Sequence, residues 1–347
     1  MPPEPAFPRD TQMKQEIAEI PGCIAHQIKQ HGPLYKNVGR RLRAHSPTVM
    51  ITVARGSSDC AAAFLKHLVE VRLGVPVASV GPSLSSVYGQ SLWIERAVSW
   101  AISQSGASED INALHCSNRA AGALSISLVN SPNSRLAQNS DIALPIGAWP
   151  ELALPATKSF VCSLVAIAAI VSEWTGDRDL FDSLHALPEL VERSYRLDWG
   201  VAEEALAGCE SALILGRGAG YPIACEAALK LKETSYIFAE AFSAAEVWHG
   251  PAALITPERP VILIAPADEA SVGAVATAEK VRALGARVFV VSSDQGRACL
   301  PVPNASNSVA EAIAMIARFY ALAERLSGKC GVNVDSPRAL QKVTVTI

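Results

Sequence analysis

The chain has 347 residues, half of them apolar, enough to bury a large core and, at roughly 100–200 residues per domain, to form two domains. Lys and Arg total 30 against 33 for Asp and Glu, so no global basic field draws nucleic acid or an anionic membrane, and a small molecule is the expected partner. The eight cysteines show neither CxxC nor metal spacing with histidine, which fits reduced thiols in a cytoplasmic protein; no metal and no other cofactor is expected.

The opening MPPEPAFPRDTQMKQEIAEIP lacks the basic start and apolar run of a signal peptide. A helical arm is expected over residues 11–43. VMITVARGSSD (49–59) then reads as a buried strand closed by a glycine turn, VSWAISQSG (98–106) as a second strand and LSISLVN (124–130) as a third. The apolar run 159–171 falls short of the roughly 20 residues a bilayer requires and is expected to be a core helix. A Leu-, Glu- and Arg-rich connector over 183–196 leads to SALILGRGAGY (211–221), PVILIAPAD (260–268) and ARVFVVSS (286–293). These echo the first three strands: Arg55 and Arg217 lie 162 residues apart, as do Ile102 and Ile264. Strands alternating with helices, twice in one register, predict a duplicated α/β chain with parallel sheets.

The copies differ in their strand-to-helix turns. The first carries Ser57 and Ser58, then Ser103, Gln104, Ser105 and Ser108; the second has Ala219, Gly220, Ala265, Pro266 and Ala267 at the matching places. Hydroxyls around a glycine at a helix start suit a phosphate, which also meets backbone N–H groups and the helix dipole. An ordinary Ser-capped helix would read the same way. No Walker A and no GxGxxG pattern follows these strands, which leaves nucleotide binding without support.

In the second copy, Pro222 is placed as a first helical residue, and Glu226, Lys230 and Glu233 follow at i, i+4 and i+7 on one face. Two readings stand: a solvated salt-bridge ladder, or a partly buried general base Glu233 modulated by Lys230. His249, in AAEVWHGP, is set before a Gly-Pro turn as a candidate acid or base, although a lone histidine is more often structural. The end DSPRALQKVTVTI reads as an edge strand with one charge, Lys342.

ARGSSD, SQSGAS, PATKSF, EAALKLKETSYIFAEAF, EVWHGP and SPRALQK resemble, in order and spacing, the isomerase portion of glutamine fructose-6-phosphate amidotransferase, a double sugar isomerase (SIS) domain protein; the likeness runs over residues 13–347. It implies two tandem SIS domains, each a flavodoxin-like three-layer αβα unit: an arm (1–34), SIS domain 1 (35–193), SIS domain 2 (194–335) and a tail (336–347). It implies that Ser58, Ser103, Gln104, Ser105 and Ser108 bind the sugar phosphate, that Glu233 shuttles a proton between C1 and C2, and that His249 opens the ring from the partner subunit of a homodimer. Lys342 matches the lysine that forms a Schiff base, and Lys230 and Glu151 match other pocket residues. Two positions depart from the pattern: Ala156 replaces a serine of the pocket, and Trp248 stands where lysine is common.

At the front, Met-Pro-Pro and a short arm stand where the amidotransferase carries a catalytic cysteine and a glutaminase domain, so the resemblance implies a chain that makes no ammonia of its own. The expected activity is deamination of glucosamine 6-phosphate to fructose 6-phosphate. Alternatives are a ketose–aldose isomerase, a fructosamine-6-phosphate deglycase, an amidotransferase half served by a separate glutaminase and, in another class, a sugar-phosphate sensor. A sensor would have no reason to combine Glu233, His249 and Lys342.

Overall fold

The computed structural model describes residues 10–342; the first nine residues and the last five of the tail, the end of its expected strand, lie outside the described residues. The first copy follows a long helix α1 (Gln12–His45): β1 (Val49–Val53), α2 (Ser57–Leu73), β2 (Val77–Ser79), the single turn α3 (Ser83–Ser86), β3 (Ala97–Ser103), α4 (Glu109–Ala120), β4 (Leu124–Val129), the short α5 (Arg135–Gln138), β5 (Ile142–Pro145) and α6 (Lys158–Thr175). After α7 (Arg178–Tyr195) and α8 (Gly200–Leu206) comes the second: β6 (Ser211–Gly216), α9 (Gly220–Ser235), β7 (Phe238–Ser243), β8 (Val261–Ile264), α10 (Ser271–Ala283), β9 (Val288–Ser292), β10 (Leu300–Pro301) and α11 (Ser308–Lys329).

Each copy forms a five-stranded parallel sheet, ordered β2-β1-β3-β4-β5 in the first and β10-β9-β8-β6-β7 in the second. Read from opposite ends these are the same order, that of flavodoxin-like sheets, in which ligands sit outside the carboxyl ends of the central strands. The sequence singled out only three strands per copy. The two it missed are β2 and β5, and their counterparts β7 and β10, all of them sheet edges and mostly too short to show a pattern. Central strands such as β3 are buried along their whole length, as expected when helices cover both faces.

The chain divides into two compact units. Among the described residues, one contains 22–151, 158–185 and 341–342; the other contains 10–21, 152–157 and 186–340. This division differs from boundaries at 34, 193 and 335. The arm is one unbroken helix through residue 34, and Gln341 and Lys342 of the tail belong with the first copy. The core of that copy is built by Ile51, Val53, Ala101, Ile111, Leu114 and Leu136, and that of the second by Leu213, Leu215, Leu263, Ala278, Val281 and Val290. Helix α6 is long and apolar enough by composition to cross a membrane, but its side chains from Lys158 to Ser172 are all buried in the protein.

A polar network runs through the first core. The Ser140 hydroxyl donates to the Leu136 carbonyl (2.7 Å), so its oxygen accepts from His115 Nε2, 3.0 Å away. Ser99 Oγ accepts from the Asn118 amide (3.1 Å) and donates its own proton to His115 Nδ1 (3.0 Å). The imidazole is therefore neutral with its proton on Nε2. Burial pulls its pKa from the ordinary 6.5 down to about 4, with Arg119 adding to the effect and Asp141 opposing it. Between pH 6.5 and about 4 the unfolded chain binds a proton here that the folded protein refuses, so stability is lost as pH falls through that window. The loss reaches about 3 kcal/mol at the acid end. Denaturant unfolding at pH 7 and pH 4.5 should show it, and His115→Gln should flatten the profile; equal slopes for the two proteins would refute the assignment.

Candidate functional site

β1 and β3 lie side by side at the centre of the first sheet, and α2 and α4 start directly beyond their carboxyl ends. The turn into α4 needs glycine at 106: its φ is +62°, and a Cβ there would come 2.6 Å from the Ser134 Cβ. Ser103 Oγ accepts from the Gly106 N–H (3.0 Å), and Ser105 Oγ from the Ala107 N–H (3.3 Å). Those two N–H groups are therefore spent on the turn, contrary to the expectation of free backbone donors in this loop. The hydroxyl protons of both serines stay available. Ser108 is the N-cap residue of α4, yet its side chain makes no capping bond, which removes the plain Ser-cap reading.

Ser58, Ser103, Gln104, Ser105 and Ser108 together line a cavity of about 380 Å³, a size in the ordinary range for small-molecule sites. Two cations share it. Arg55, more than half exposed, pairs with the buried Asp110 at 3.0 Å. It was not among the expected ligands, although a cation between a buried strand and the first glycine turn was a legible signal. Lys342 enters from the tail, its Nζ 3.6 Å from Glu151 Oε2.

Glu151 is itself buried and accepts from both the backbone N–H (3.0 Å) and the hydroxyl (2.6 Å) of Ser159, in the first turn of α6, where the helix end favours a negative charge. It reaches the cavity through Lys342 and does not line it. Ser57, the first residue of α2, does not line the cavity either, and Ala156 is half-buried in the other compact unit. The described part of the tail makes turns rather than a strand.

The second copy is closed at the same place. A Cβ on Gly56 would meet nothing within 4 Å, whereas one on Gly218, its counterpart 162 residues on, would lie 2.6 Å from the Asp268 carboxylate. Asp268 fills the space that the first copy leaves open, with the wrong charge for a phosphate. The side-chain asymmetry between the copies is thus also an asymmetry of space.

Helix α9 overturns the solvated-ladder reading of its charged face. Glu226 and Lys230 have fully buried side chains, and that of Glu233 is 18% exposed. The Lys230 ammonium bonds the Glu233 carboxylate and lies 3.5 Å from Glu226 Oε1, which also accepts from the Tyr320 hydroxyl at 2.9 Å. Glu233 is thereby a carboxylate with one side held by a buried cation and another open. Pro222 sits within the first turn of α9, which begins at Gly220 rather than at the proline. His249 is exposed at the end of a 3-10 turn (Glu246–His249), followed by Gly250 at φ +133°. Among the described residues no group of three or more His, Cys, Asp or Glu could hold a metal ion.

The chain matches the SIS domain family over residues 46–173 and 205–299. It is 32% identical to the isomerizing glutamine–fructose-6-phosphate aminotransferase of Zymomonas mobilis over 96% of its own length and 58% of that protein, so it spans less than two thirds of the curated relatives it matches. Among solved structures it is similar to a candidate phosphosugar isomerase from Silicibacter pomeroyi DSS-3 (36% identity, TM-score 0.87, 94% of this chain and 100% of that one). It is also similar to the C-terminal domain of glucosamine-fructose-6-phosphate aminotransferase from Francisella tularensis (26%, TM-score 0.84, 94% and 98%).

Proposed function

The chain belongs to the SIS domain family, with two copies of the domain in tandem, and from that premise we propose that it is a phosphosugar isomerase acting on aminosugar phosphates, converting glucosamine 6-phosphate and water to fructose 6-phosphate and ammonia. The observation that carries this reading is a lysine amine, Lys342, held by the buried Glu151 at the mouth of a hydroxyl-lined cavity. Hydroxyls with an arginine suit a phosphate, and an amine beside them suits a carbonyl. The Francisella relative is named for glucosamine and fructose 6-phosphate, and the Zymomonas one for fructose 6-phosphate.

In this reading Ser58, Ser103, Gln104, Ser105 and Ser108 hold the phosphate and neighbouring hydroxyls, with Arg55 beside them. His249 opens the sugar ring, acting from a second copy in a homodimer; its exposure is what such a role needs. Glu233 removes the C2 proton and returns it to C1, turning the open-chain aminoaldose into a C2 imine. Lys342 displaces ammonia from that imine, water hydrolyses the lysine imine, and the ketose leaves with the amine restored. Lys230 holds Glu233 in place. No cofactor enters these steps, and the enzyme works in the cytoplasm.

The same site run in reverse takes up ammonia, as the aminotransferase relatives' isomerase portion would; that is the second reading, and the relatives' names favour it. The test is release of ammonia and fructose 6-phosphate from glucosamine 6-phosphate by the purified chain. Lys342→Ala should lose that release, and borohydride with fructose 6-phosphate should tag Lys342 in the native protein. Tight binding of the sugar with neither turnover nor tagging would sink the enzymatic reading and point to a sensor.

A further inference from the structure

The loop between β5 and α6 carries Glu151, yet its backbone belongs to no sheet or helix. Trp149 sits there at φ +53°, a left-handed conformation costly for a bulky residue and more so before a proline, here Pro150. One side chain bonds the backbone on both sides of the peptide before it. Asn130, the residue after β4, accepts from the Ala148 N–H with Oδ1 (3.0 Å) and donates from Nδ2 to the Trp149 carbonyl (2.8 Å). Its own backbone N–H donates to the Gln104 carbonyl at 3.1 Å, in the phosphate loop. The indole packs over α1, where a Cβ on Gly22 would come 3.2 Å from the ring, and lies 5.9 Å from His26.

Asn130 therefore touches the phosphate loop with its backbone and the Glu151 loop with its side chain. We infer that Asn130 is a positioning residue: it pins the turn at Trp149 and so sets Glu151, and through it the Lys342 amine, at a fixed distance from the phosphate loop. An amide is needed for this, because only it offers a donor and an acceptor in one plane. A carboxylate at 130 would keep the Ala148 bond and turn an acceptor on the Trp149 carbonyl. The importance of Lys342 for turnover rests on the function proposed above; its placement by Asn130 does not.

The test reads the reactivity of Lys342 with trinitrobenzenesulfonate by peptide mass spectrometry, in the full chain without substrate, with exposed Lys29 as the internal reference. Asn130→Asp and Glu151→Gln are both expected to speed Lys342 labelling threefold or more, with Lys29 unchanged. With substrate, Asn130→Asp should lower kcat at least tenfold and leave KM within threefold, because the backbone bond to Gln104 survives. An unchanged Lys342 rate in Asn130→Asp, with Glu151→Gln fast, would overturn the inference; so would an unchanged rate in both. Should Asn130→Asp unfold, all lysines would label at one rate, and Asn130→Ala, which keeps neither side-chain bond, takes its place under the same criteria. Absence of turnover in the native chain would count against the proposed function alone, since the labelling comparison needs no catalysis.

Discussion

Glu233→Gln should lower turnover of the sugar phosphate by roughly 10²–10⁴-fold, the usual worth of a positioned general base, and leave binding of the sugar phosphate within a few fold. The amide keeps the shape of the side chain and an oxygen for the Lys230 ammonium, but it takes up no proton. The phosphate contacts assigned above lie on the first sheet, so the loss should fall on kcat and spare KM. Calorimetric titration of the variant beside initial rates measures both. Full turnover would end the proton-shuttle assignment, and a parallel loss of binding would make Glu233 a structural residue of α9.

Lys230→Met addresses the same cluster from the side of stability. Lys230 is fully buried between Glu226 and Glu233, and removing its ammonium leaves the buried Glu226 carboxylate with the Tyr320 hydroxyl but without the cation. Breaking one side of a buried pair costs about 3–5 kcal/mol, far above the few tenths expected of an exposed ladder at i, i+4. The fall should appear as a lower denaturant midpoint. Lys230→Met combined with Glu226→Gln should recover most of it, since the uncompensated charge is then gone. A cost under about 1 kcal/mol would mean that the cluster is solvated after all.

The two variants separate what one helix does. Glu233, partly open, is the group expected to meet substrate, whereas Lys230 holds it and, with Glu226, stabilises the fold. A kinetic defect in Lys230→Met at a temperature where the protein is fully folded would then report on the placement of Glu233, and Glu233→Gln should unfold close to the native midpoint.

The repeat could be read directly, because buried parallel strands are continuous apolar runs and two sets kept one spacing of 162 residues. The hydroxyl-rich turns of the first copy were equally visible, since Ser, Gly and Gln at a strand-to-helix junction are local features. The edge strands β2, β5 and β10 were not, being two to four residues long and held by pairing with a neighbour rather than by their own pattern.

The sequence by itself thus determined the fold class, the duplication and which copy carries the hydroxyl-rich turns, all properties of short segments and their periodicity. Only the tertiary structure decided that Lys230 is buried, because the same i, i+4 charges occur on wet and dry helix faces and only packing against α11 and its Tyr320 tells them apart. Only it showed Asp268 against Gly218, where the first copy leaves the space beside Gly56 open, and only it brought Lys342 to Glu151 and Asn130 to both loops. Those contacts join residues 18 or more positions apart, and contacts of that kind are set by how the sheets and helices close, which no local pattern records.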